Sequence, residues 1–370
     1  MGARERSEAL HERARAMVGA FERAAPMPES FDSLAADIAR FQADFVPGYA
    51  RLCAARGTDS RLIVRADQAP AVPTEAFKFG RVFAFEETQA AVTFRTSGTT
   101  SGDRGAHSIR DVRTYDAAAL AFGRAMLGCA RQDRATVVVL GPSSTRTPDS
   151  SLAHMCSLFV RAFPADDGQA SHFVHGDGLD LNAFRRRVCA LPPEIPAIIL
   201  GASFAFVHLL DELRGEILPL PTGSRVMQTG GFKGRSREVH PIELRTAIAS
   251  SFAVPERAVV NEYGMTELSS QFWEATLADE SAAHGVYVEP PWARVVPVDP
   301  ETLAPVRGGT IGIARIEDLA NIDSAFAILT QDRVRRTDGG FELLGRAPGA
   351  PARGCSIALD EMLSATGRRA

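Results

Sequence analysis

The sequence predicts an α/β protein built around a mainly parallel sheet. Three short apolar runs, at residues 135–140, 196–200 and 224–229, have the length and composition of buried strands. Each run ends in a loop marked by glycine or proline, and segments with helical periodicity follow at 150–163, 204–213 and 241–252. Alternation of strand, loop and helix is typical of parallel sheets, whose ligands bind at loops beyond the carboxyl ends of the strands.

The remaining segments lack this alternation of strands and helices. Residues 1–56 predict mostly helices, and from about residue 286 the chain changes to short strands and turns. We therefore expect a main body over residues 1–346, within which residues 286–346 form a small β-rich subdomain. A short tail at 347–370 is expected to carry Cys355.

Composition excludes several classes of protein. The chain has 370 residues, 45% of them hydrophobic and 23% charged, and its net charge of −4 comes from well-mixed charges. This composition is that of a globular protein without a basic surface, so nucleic acid is not an expected partner. No apolar run approaches the roughly 18 residues that a membrane span needs. Five widely spaced cysteines without a CxxC pair favour a reducing, cytoplasmic setting.

A hydroxyl-rich and glycine-rich loop follows the apolar residues 90–94. It reads Arg95-Thr96-Ser97-Gly98-Thr99-Thr100-Ser101-Gly102-Asp103. The backbone N–H groups and hydroxyls of such a loop can face phosphate oxygens, because glycines permit positive φ and close approach. No Gly-Lys-Ser/Thr follows, so it is not a Walker A loop. A plain polar turn is the alternative, and His107 just beyond is predicted to contact phosphate or to lie at the surface.

A second motif, Asn261-Glu262-Tyr263-Gly264-Met265-Thr266-Glu267, follows far along the chain. In this order the two motifs resemble the phosphate loop and the Tyr-Gly-x-Thr-Glu motif of the adenylate-forming superfamily. That resemblance implies ATP as substrate and Mg²⁺ as cofactor. It implies that Tyr263 lies beside adenine, that Gly264 belongs to the nucleotide site, that Thr266 contacts the α-phosphate, and that Glu267 ligates Mg²⁺. The residues expected on the β- and γ-phosphates are Thr96, Ser97, Gly98, Thr99, Thr100 and Gly102.

Further positions complete the implied nucleotide site. Gly230, Gly231 and Phe232 are expected to wall the adenine. Asp332 matches the position of the aspartate that the superfamily places on the ribose hydroxyls, although Gln331 stands where the usual form has glycine. Asp338 offers a competing register, in a segment that also predicts a hairpin turn. Arg346 is expected to contact nucleotide or to mark a hinge.

Three more segments resemble one branch of that superfamily, the LuxE-like acyl-protein synthetases. They are residues 72–78, residues 229–234 and the cysteine motif at residues 353–356. Because only residues 347–370 follow Arg346, we expect the mobile C-terminal domain of the superfamily, with its catalytic lysine, to be absent.

The resemblance implies a two-step reaction. A carboxylic acid, fatty in this family, would be activated to acyl-AMP and then transferred to Cys355. We expect Arg346 and Arg353 to lower the pKa of this thiol, since the thiolate is the nucleophile. The alternative for Cys355 is a small buried residue in a last strand at 355–359.

The family implies a partner protein that accepts or reduces the acyl group. Two alternatives stay open. One is a carboxylate–CoA or carrier-protein ligase of the same superfamily, and the other is a degenerate nucleotide-binding subunit without activity of its own.

Overall fold

The computed structural model describes residues 2–96, 104–130, 133–163, 170–176, 178–230, 236–347 and 353–363. The chain divides into two compact units, each formed by discontinuous segments. The first unit comprises Met1–Ala121, Met265–Gln271 and Val288–Ala370, and the second comprises Phe122–Gly264 and Phe272–Tyr287. The expected division at residues 346 and 347 stays a prediction.

The helices and strands are named in chain order. The helices are α1 (Ala3–Glu22), α2 (Phe31–Phe45), α3 (Pro47–Ala55), α4 (Ala76–Phe79), α5 (Arg113–Met126), α6 (Ser151–Ala162), α7 (Leu181–Cys189), α8 (Ser203–Leu213), α9 (Pro241–Phe252) and α10 (Arg353–Leu363). The strands are β1 (Val72–Pro73), β2 (Val92–Arg95), β3 (Ala106–Ile109), β4 (Thr136–Leu140), β5 (Val174–His175), β6 (Gly178–Leu179), β7 (Ala197–Ala202), β8 (Arg225–Thr229), β9 (Val259–Tyr263), β10 (Phe272–Glu274), β11 (Val286–Val288), β12 (Ala293–Val298), β13 (Ile311–Asp318), β14 (Ala327–Thr337) and β15 (Gly340–Arg346). Among the described residues, none of the helices combines the length and hydropathy of a membrane-spanning segment.

The second unit contains the predicted parallel sheet. Its strand order is β11-β10-β9-β8-β7-β4, with β4, β7, β8 and β9 parallel and β10 antiparallel to β9. Every residue of β4 and β7 is buried, as expected for strands covered on both faces. The strands and the following helices α6, α8 and α9 lie where the sequence predicts them, so the expected α/β fold class is confirmed.

Apolar side chains on one face of this sheet pack against helices. Ile199 on β7 and Val226 on β8 belong to the same buried cluster as Phe206 on α8 and Phe252 on α9. Gly201 permits this packing, because a Cβ there would lie 3.0 Å from both Leu140 and the ring of Phe206. The carboxyl ends of the parallel strands are thereby held in register.

The first unit contains an antiparallel sheet with the order β12-β13-β14-β15. The short strand β1 runs parallel to the beginning of β14, pairing Val72 with Ile328. Strand β14 has 11 residues and lies at the centre of this sheet. The sequence analysis did not assign it, because its apolar start and charged end lack the alternation that marks an isolated strand.

Helices of the first unit are fixed by polar as well as apolar contacts. Ser30 caps α2 by accepting a hydrogen bond from the backbone N–H of Ser33 at 3.2 Å. Helix α1 is anchored through Ser7, whose hydroxyl donates to buried Asp323 at 2.5 Å, and through His11. The predicted helical character of the N-terminal residues is thus confirmed.

We expect Gly312→Ala to destabilise the protein by roughly 1–3 kcal/mol, because β12 and β13 approach too closely there for a side chain. A Cβ on Gly312 would lie 2.6 Å from the carbonyl oxygen of Val298 and 2.7 Å from its nitrogen. These are backbone atoms, which cannot rotate away. Urea denaturation measures the loss. Gly308→Ala is the matched control, since a Cβ there meets no atom within 4 Å. Equal unfolding midpoints for both variants would contradict this account.

Candidate active site

The predicted phosphate loop connects the two strands of the β2–β3 hairpin, in the first unit. Thr96 and Gly105 close the base of the loop. The N–H of Thr96 donates to the carbonyl of Gly105 at 2.9 Å, and the N–H of Gly105 donates to the Thr96 hydroxyl at 2.9 Å. Arg104 donates to the carbonyl of Thr96 at 2.6 Å. The other predicted phosphate contacts, Ser97, Gly98, Thr99, Thr100 and Gly102, lie outside the described residues.

His107 on β3 is buried, so the expectation of a surface histidine is wrong, and its contact with phosphate stays a prediction. It does not lie at the surface, and its Nδ1 donates to the carbonyl oxygen of Thr266 at 2.8 Å. The ring of Phe77 meets it edge-on, with centroids 5.8 Å apart. Burial lowers the pKa of His107 to about 4, although the bond to Thr266 acts in the opposite direction. The imidazole is therefore neutral near pH 7 and serves as a tie between hairpin and motif.

Two buried side chains hold the backbone that follows Thr266. The amide nitrogen of Asn321 donates to the carbonyls of Glu267 and Ala325, each at 2.8 Å. Asp318 accepts from the N–H of Ser269 at 2.8 Å and from the hydroxyl of Ser270 at 2.6 Å. The course of the chain through residues 266–270 is thereby fixed at several points.

The two carboxyl groups of this region differ in environment. Asp318 is fully buried, and this burial raises its pKa while its hydrogen bonds act to lower it. Glu267 is 8% exposed. A carboxylate oxygen at such a place suits Mg²⁺, which is usually held by one or two carboxylates together with substrate phosphates. Among the residues that the structure describes, no group of three or more potential metal ligands occurs.

Asp332 and Arg346 face each other across β14 and β15. They are register partners, and Nε of Arg346 lies 3.4 Å from Oδ1 of Asp332. The competing residue Asp338 lies in the two-residue turn that joins these strands. The hairpin-turn interpretation of Asp338 is thus confirmed, which leaves Asp332 as the better candidate for the ribose.

In the second unit, three side-chain hydrogen bonds meet at the end of β8. The hydroxyl of Ser203, the first residue of α8, donates to the carbonyls of Thr229 at 3.3 Å and Gly230 at 2.8 Å. The hydroxyl of Thr229 donates to the carboxyl of Glu262. Gly230 has a φ of +69°, a conformation that favours glycine. Gly231 and Phe232, also predicted on the adenine, lie outside the described residues.

Tyr263 at the end of β9 is packed among aromatic rings. Its ring stacks on Phe272 with centroids 6.0 Å apart and meets Tyr287 edge-on at 6.1 Å. The tyrosine is 7% exposed, and Gly264, its neighbour in the motif, is half-buried. The rings fix the orientation of Tyr263, which is a requirement for a side chain that packs against a base.

Cys355 lies on α10, so the alternative of a small buried residue is confirmed in its burial and wrong in its placement on a last strand. The side chain is 1% exposed and packs with Val298, Ile313 and Leu329. Burial raises the pKa of the thiol to about 11, with Glu75 adding to the effect. The expected lowering of the pKa by nearby arginines is therefore wrong for this conformation.

The sequence analysis missed the supporting residues of the site. His107 was assigned another role, and Ser203, Glu262, Asp318 and Asn321 were not singled out as supports. Buried polar residues of this kind resemble ordinary surface residues in a single sequence. The sequence offers two signals for these residues. Glu262 belongs to the second motif, and Ser203 lies beside the loop marked by Gly201.

We expect Glu262→Gln to reduce the dependence of stability on pH. Burial raises the pKa of Glu262 to about 7 from an ordinary value of 4.5. A raised pKa in the fold means that stability is full at low pH and is lost as pH rises through the folded pKa. The variant cannot ionise, so between pH 5 and pH 8 it should lose about 2–3 kcal/mol less than the wild type.

Urea unfolding at both pH values measures this difference. Other buried carboxyl groups, such as Asp318, affect both proteins equally and cancel. Parallel pH dependence in the two proteins would contradict the expectation.

Comparisons with known proteins bear on the family and the fold of the chain. Residues 33–364 match the model of the family described as acyl-protein synthetase, LuxE. The chain is 23% identical over 315 residues to a long-chain-fatty-acid–luciferin-component ligase of Aliivibrio fischeri, covering 80% of this chain and 79% of the relative. It is 22% identical over 334 residues to the ligase of the same name from Vibrio harveyi, covering 86% of this chain and 84% of the relative.

A solved structure shows the same fold. A crystal structure of 2-hydroxyisobutyryl-CoA ligase in complex with 2-HIB-AMP and CoA is similar with a TM-score of 0.61 and 16% identity, covering 94% of this chain and 69% of that chain. The two chains share this α/β fold. Because the family model spans most of the sequence, the chain belongs to the LuxE family of acyl-protein synthetases, which are ligases.

Proposed function

We propose that the protein activates a fatty acid with ATP to acyl-AMP and then transfers the acyl group to its own Cys355. The hydrogen bond from His107 to Thr266 is the observation that carries the first half. It ties the hairpin bearing the phosphate loop to the motif bearing Glu267, as a shared triphosphate site requires. The choice of a fatty acid as the substrate rests on the names of the relatives, which are long-chain-fatty-acid ligases.

The nucleotide contacts follow the resemblance residue by residue. In this proposal the loop residues Thr96, Ser97, Gly98, Thr99, Thr100 and Gly102 bind the β- and γ-phosphates. The adenine is contacted by Gly230, Gly231, Phe232 and Tyr263, with Gly264 also in the nucleotide site. Asp332 binds the ribose with Arg346 beside it. The ion contact between Asp332 and Arg346 supports their common role.

Mg²⁺ fits the donors that the structure offers. Glu267 would hold it, and Asn321 fixes the main chain of this residue through its carbonyl oxygen. When bound, the ion would neutralise phosphate charge and help to align the triphosphate.

The first step is an acyl adenylation. A carboxylate oxygen of the acid attacks the α-phosphorus of ATP, and the bond from that phosphorus to the bridging oxygen of pyrophosphate breaks. Thr266 would donate a hydrogen bond to the α-phosphate as charge accumulates there. Alignment of the two oxygens by fixed contacts supplies a large share of such a rate enhancement.

The second step requires Cys355 to become accessible. The thiol loses its proton, its sulfur attacks the carbonyl carbon of acyl-AMP, and AMP leaves with the electrons of the broken C–O bond. Because the thiol is buried with a raised pKa, helix α10 must first move away from its docked position.

Few polar contacts hold α10 on α3. Arg51 donates to the carbonyl of Met362 at 2.7 Å, and Arg56 pairs with Glu361 at 2.5 Å. Gly48 provides the space for Met362, since a Cβ there would lie 2.6 Å from the methionine methyl group. The ion pair is partly exposed, and exposed ion pairs contribute little. Most of the free energy of docking therefore comes from the buried side chains of Cys355, Ala358 and Met362, which the proposed movement would expose.

The acceptor beyond Cys355 belongs to the same proposal. We infer a partner protein that accepts or reduces the acyl group, which is consistent with the phrase luciferin-component ligase in the names of the relatives. All five cysteines are free thiols, as a reducing compartment such as the cytoplasm would maintain. The second candidate function is a ligase that passes the acyl group to CoA or a carrier protein, and burial of Cys355 is the observation that favours it.

Glu267→Gln should lower acid-dependent pyrophosphate exchange by at least about 100-fold, because a bound metal contributes several kcal/mol to such a transition state. Exchange between labelled pyrophosphate and ATP, with a panel of fatty acids, is the measurement. Glu342→Gln is the matched control, since this carboxylate pairs with Arg335 on the same unit. If the wild type supports exchange with no acid, the proposal fails, and ATP binding without exchange would favour the degenerate nucleotide-binding subunit.

Cys355→Ser should leave exchange largely intact and abolish the covalent acyl adduct, because nucleotide contacts lie on other residues. Intact mass spectrometry after incubation with ATP, Mg²⁺ and acid measures the adduct, which should be labile to hydroxylamine. Cys189→Ser is the control, since Cys189 is exposed and should not carry the acyl group. An acyl group mapped to another cysteine would refute the assignment, and conversion of CoA by unlabelled protein would favour the second candidate.

A thiol reagent tests the movement of α10 without nucleotide. Arg56→Gln removes the ion pair with Glu361 and should accelerate labelling of Cys355 several-fold, whereas Arg61→Gln, on an exposed turn, should not. Unchanged labelling in Arg56→Gln would mean that this contact does not restrain the helix.

A further inference from the structure

We propose that Glu262 is a positioning residue for ATP, acting through the end of β8 rather than by touching the reacting atoms. Its carboxyl would hold Thr229, and Thr229 would hold Gly230 in the conformation that receives the adenine. The inference rests on the proposed function, in which Gly230 walls the base.

The geometry of the strand ends supports this role. Thr229 and Glu262 are the last register pair of the parallel β8–β9 ladder, so their side chains emerge on the same face of the sheet. The Thr229 hydroxyl donates to Oε2 of Glu262. Glu262 is 5% exposed, so this hydrogen bond is shielded from competing water.

Ser203 completes the restraint from the other direction. Its hydroxyl donates to the carbonyls of Thr229 and Gly230, at 3.3 and 2.8 Å. Gly230, with its φ of +69°, has many alternative conformations when it is not restrained. Two independent side chains therefore fix the residue pair at which β8 ends.

The surroundings of Glu262 make the burial of its carboxyl group unfavourable for the stability of the fold. The neighbouring titratable groups are Cys156 on α6 and Tyr287 on β11, and neither carries a positive charge. Within the described residues, Glu262 forms no ion pair. A buried carboxyl without a counter-charge costs stability that an apolar residue would not. This cost is offset if the carboxyl organises a ligand-binding segment.

The test separates binding of ATP from binding of the acid. Calorimetry measures the Kd of ATP–Mg²⁺, and pyrophosphate exchange gives KM for ATP and for the acid. Glu262→Ala and Thr229→Val should each weaken ATP binding about tenfold and raise KM for ATP equally, with KM for the acid nearly unchanged. The double variant should be no weaker than either single variant, because both remove the same contact.

Glu262→Gln is the conservative control. Its amide oxygen still accepts the Thr229 hydroxyl, so ATP affinity should stay within about twofold of the wild type. A merely structural loss of stability would not raise KM for ATP while leaving KM for the acid unchanged. If Glu262→Ala does not fold, Thr229→Val carries the test alone.

The proposed function and the positioning role of Glu262 would be overturned by different results. Wild-type protein without measurable ATP binding would overturn the proposed function itself. Wild-type binding together with unchanged ATP affinity in Glu262→Ala or Thr229→Val would overturn only the positioning role. A rise in KM for the acid, with KM for ATP unchanged, would overturn it as well, by assigning Glu262 to the acyl site. Additive effects in the double variant would show that the two side chains act separately.

Discussion

Buried side chains that hydrogen-bond to the backbone of residues 261–270 are the contacts on which the proposed chemistry depends. In the second unit Glu274 accepts from the N–H of Asn261 at 2.9 Å and from the N–H of Gly285 at 2.5 Å. In the first unit His107 donates to the carbonyl of Thr266, and Asn321 donates to the carbonyl of Glu267. Since a buried polar group without a partner costs more than a typical hydrogen bond contributes, each of these side chains is hard to replace.

The charge of Glu274 is balanced within the fold. Arg245 pairs with it at 2.6 Å, and both side chains are almost completely buried. Arg245 also donates to the carbonyl of Val259, so the pair contacts the beginning and the middle of β9. Removal of one partner would leave the other charged and desolvated, which is far more costly than the net contribution of the pair. The strand that leads into the second motif is thus fixed before any ligand binds.

The proposed acyl acceptor, Cys355, is sequestered rather than positioned for reaction. The thiol of Cys355 is held among apolar side chains, where its pKa is raised and its reactivity is low. A rigid nucleotide site and a sequestered nucleophile fit a two-step reaction, because the second step then waits for movement of α10. The same burial would protect the thiol from adventitious oxidation. The proposed function thus assigns rigidity and mobility to different parts of the chain.

The sequence by itself determined the elements whose signals are local. Continuous apolar runs predicted β4, β7 and β8, helical periodicity predicted α6, α8 and α9, and the two motifs predicted the family. These inferences succeed because strand and helix periods and turn residues depend on neighbours within a few positions.

Only the tertiary structure decided how those parts are supported. His107 and Thr266 are 159 residues apart in sequence. No local pattern indicates that the ring nitrogen of His107 donates to the carbonyl oxygen of Thr266. Strand β14 is stabilised by its neighbours β1, β13 and β15 rather than by its own alternation. Cys355 lies in a helix whose apolar face is covered by distant residues. Burial, pKa and hydrogen-bond partners are properties of the packed chain, because they depend on which remote groups exclude water from each side chain.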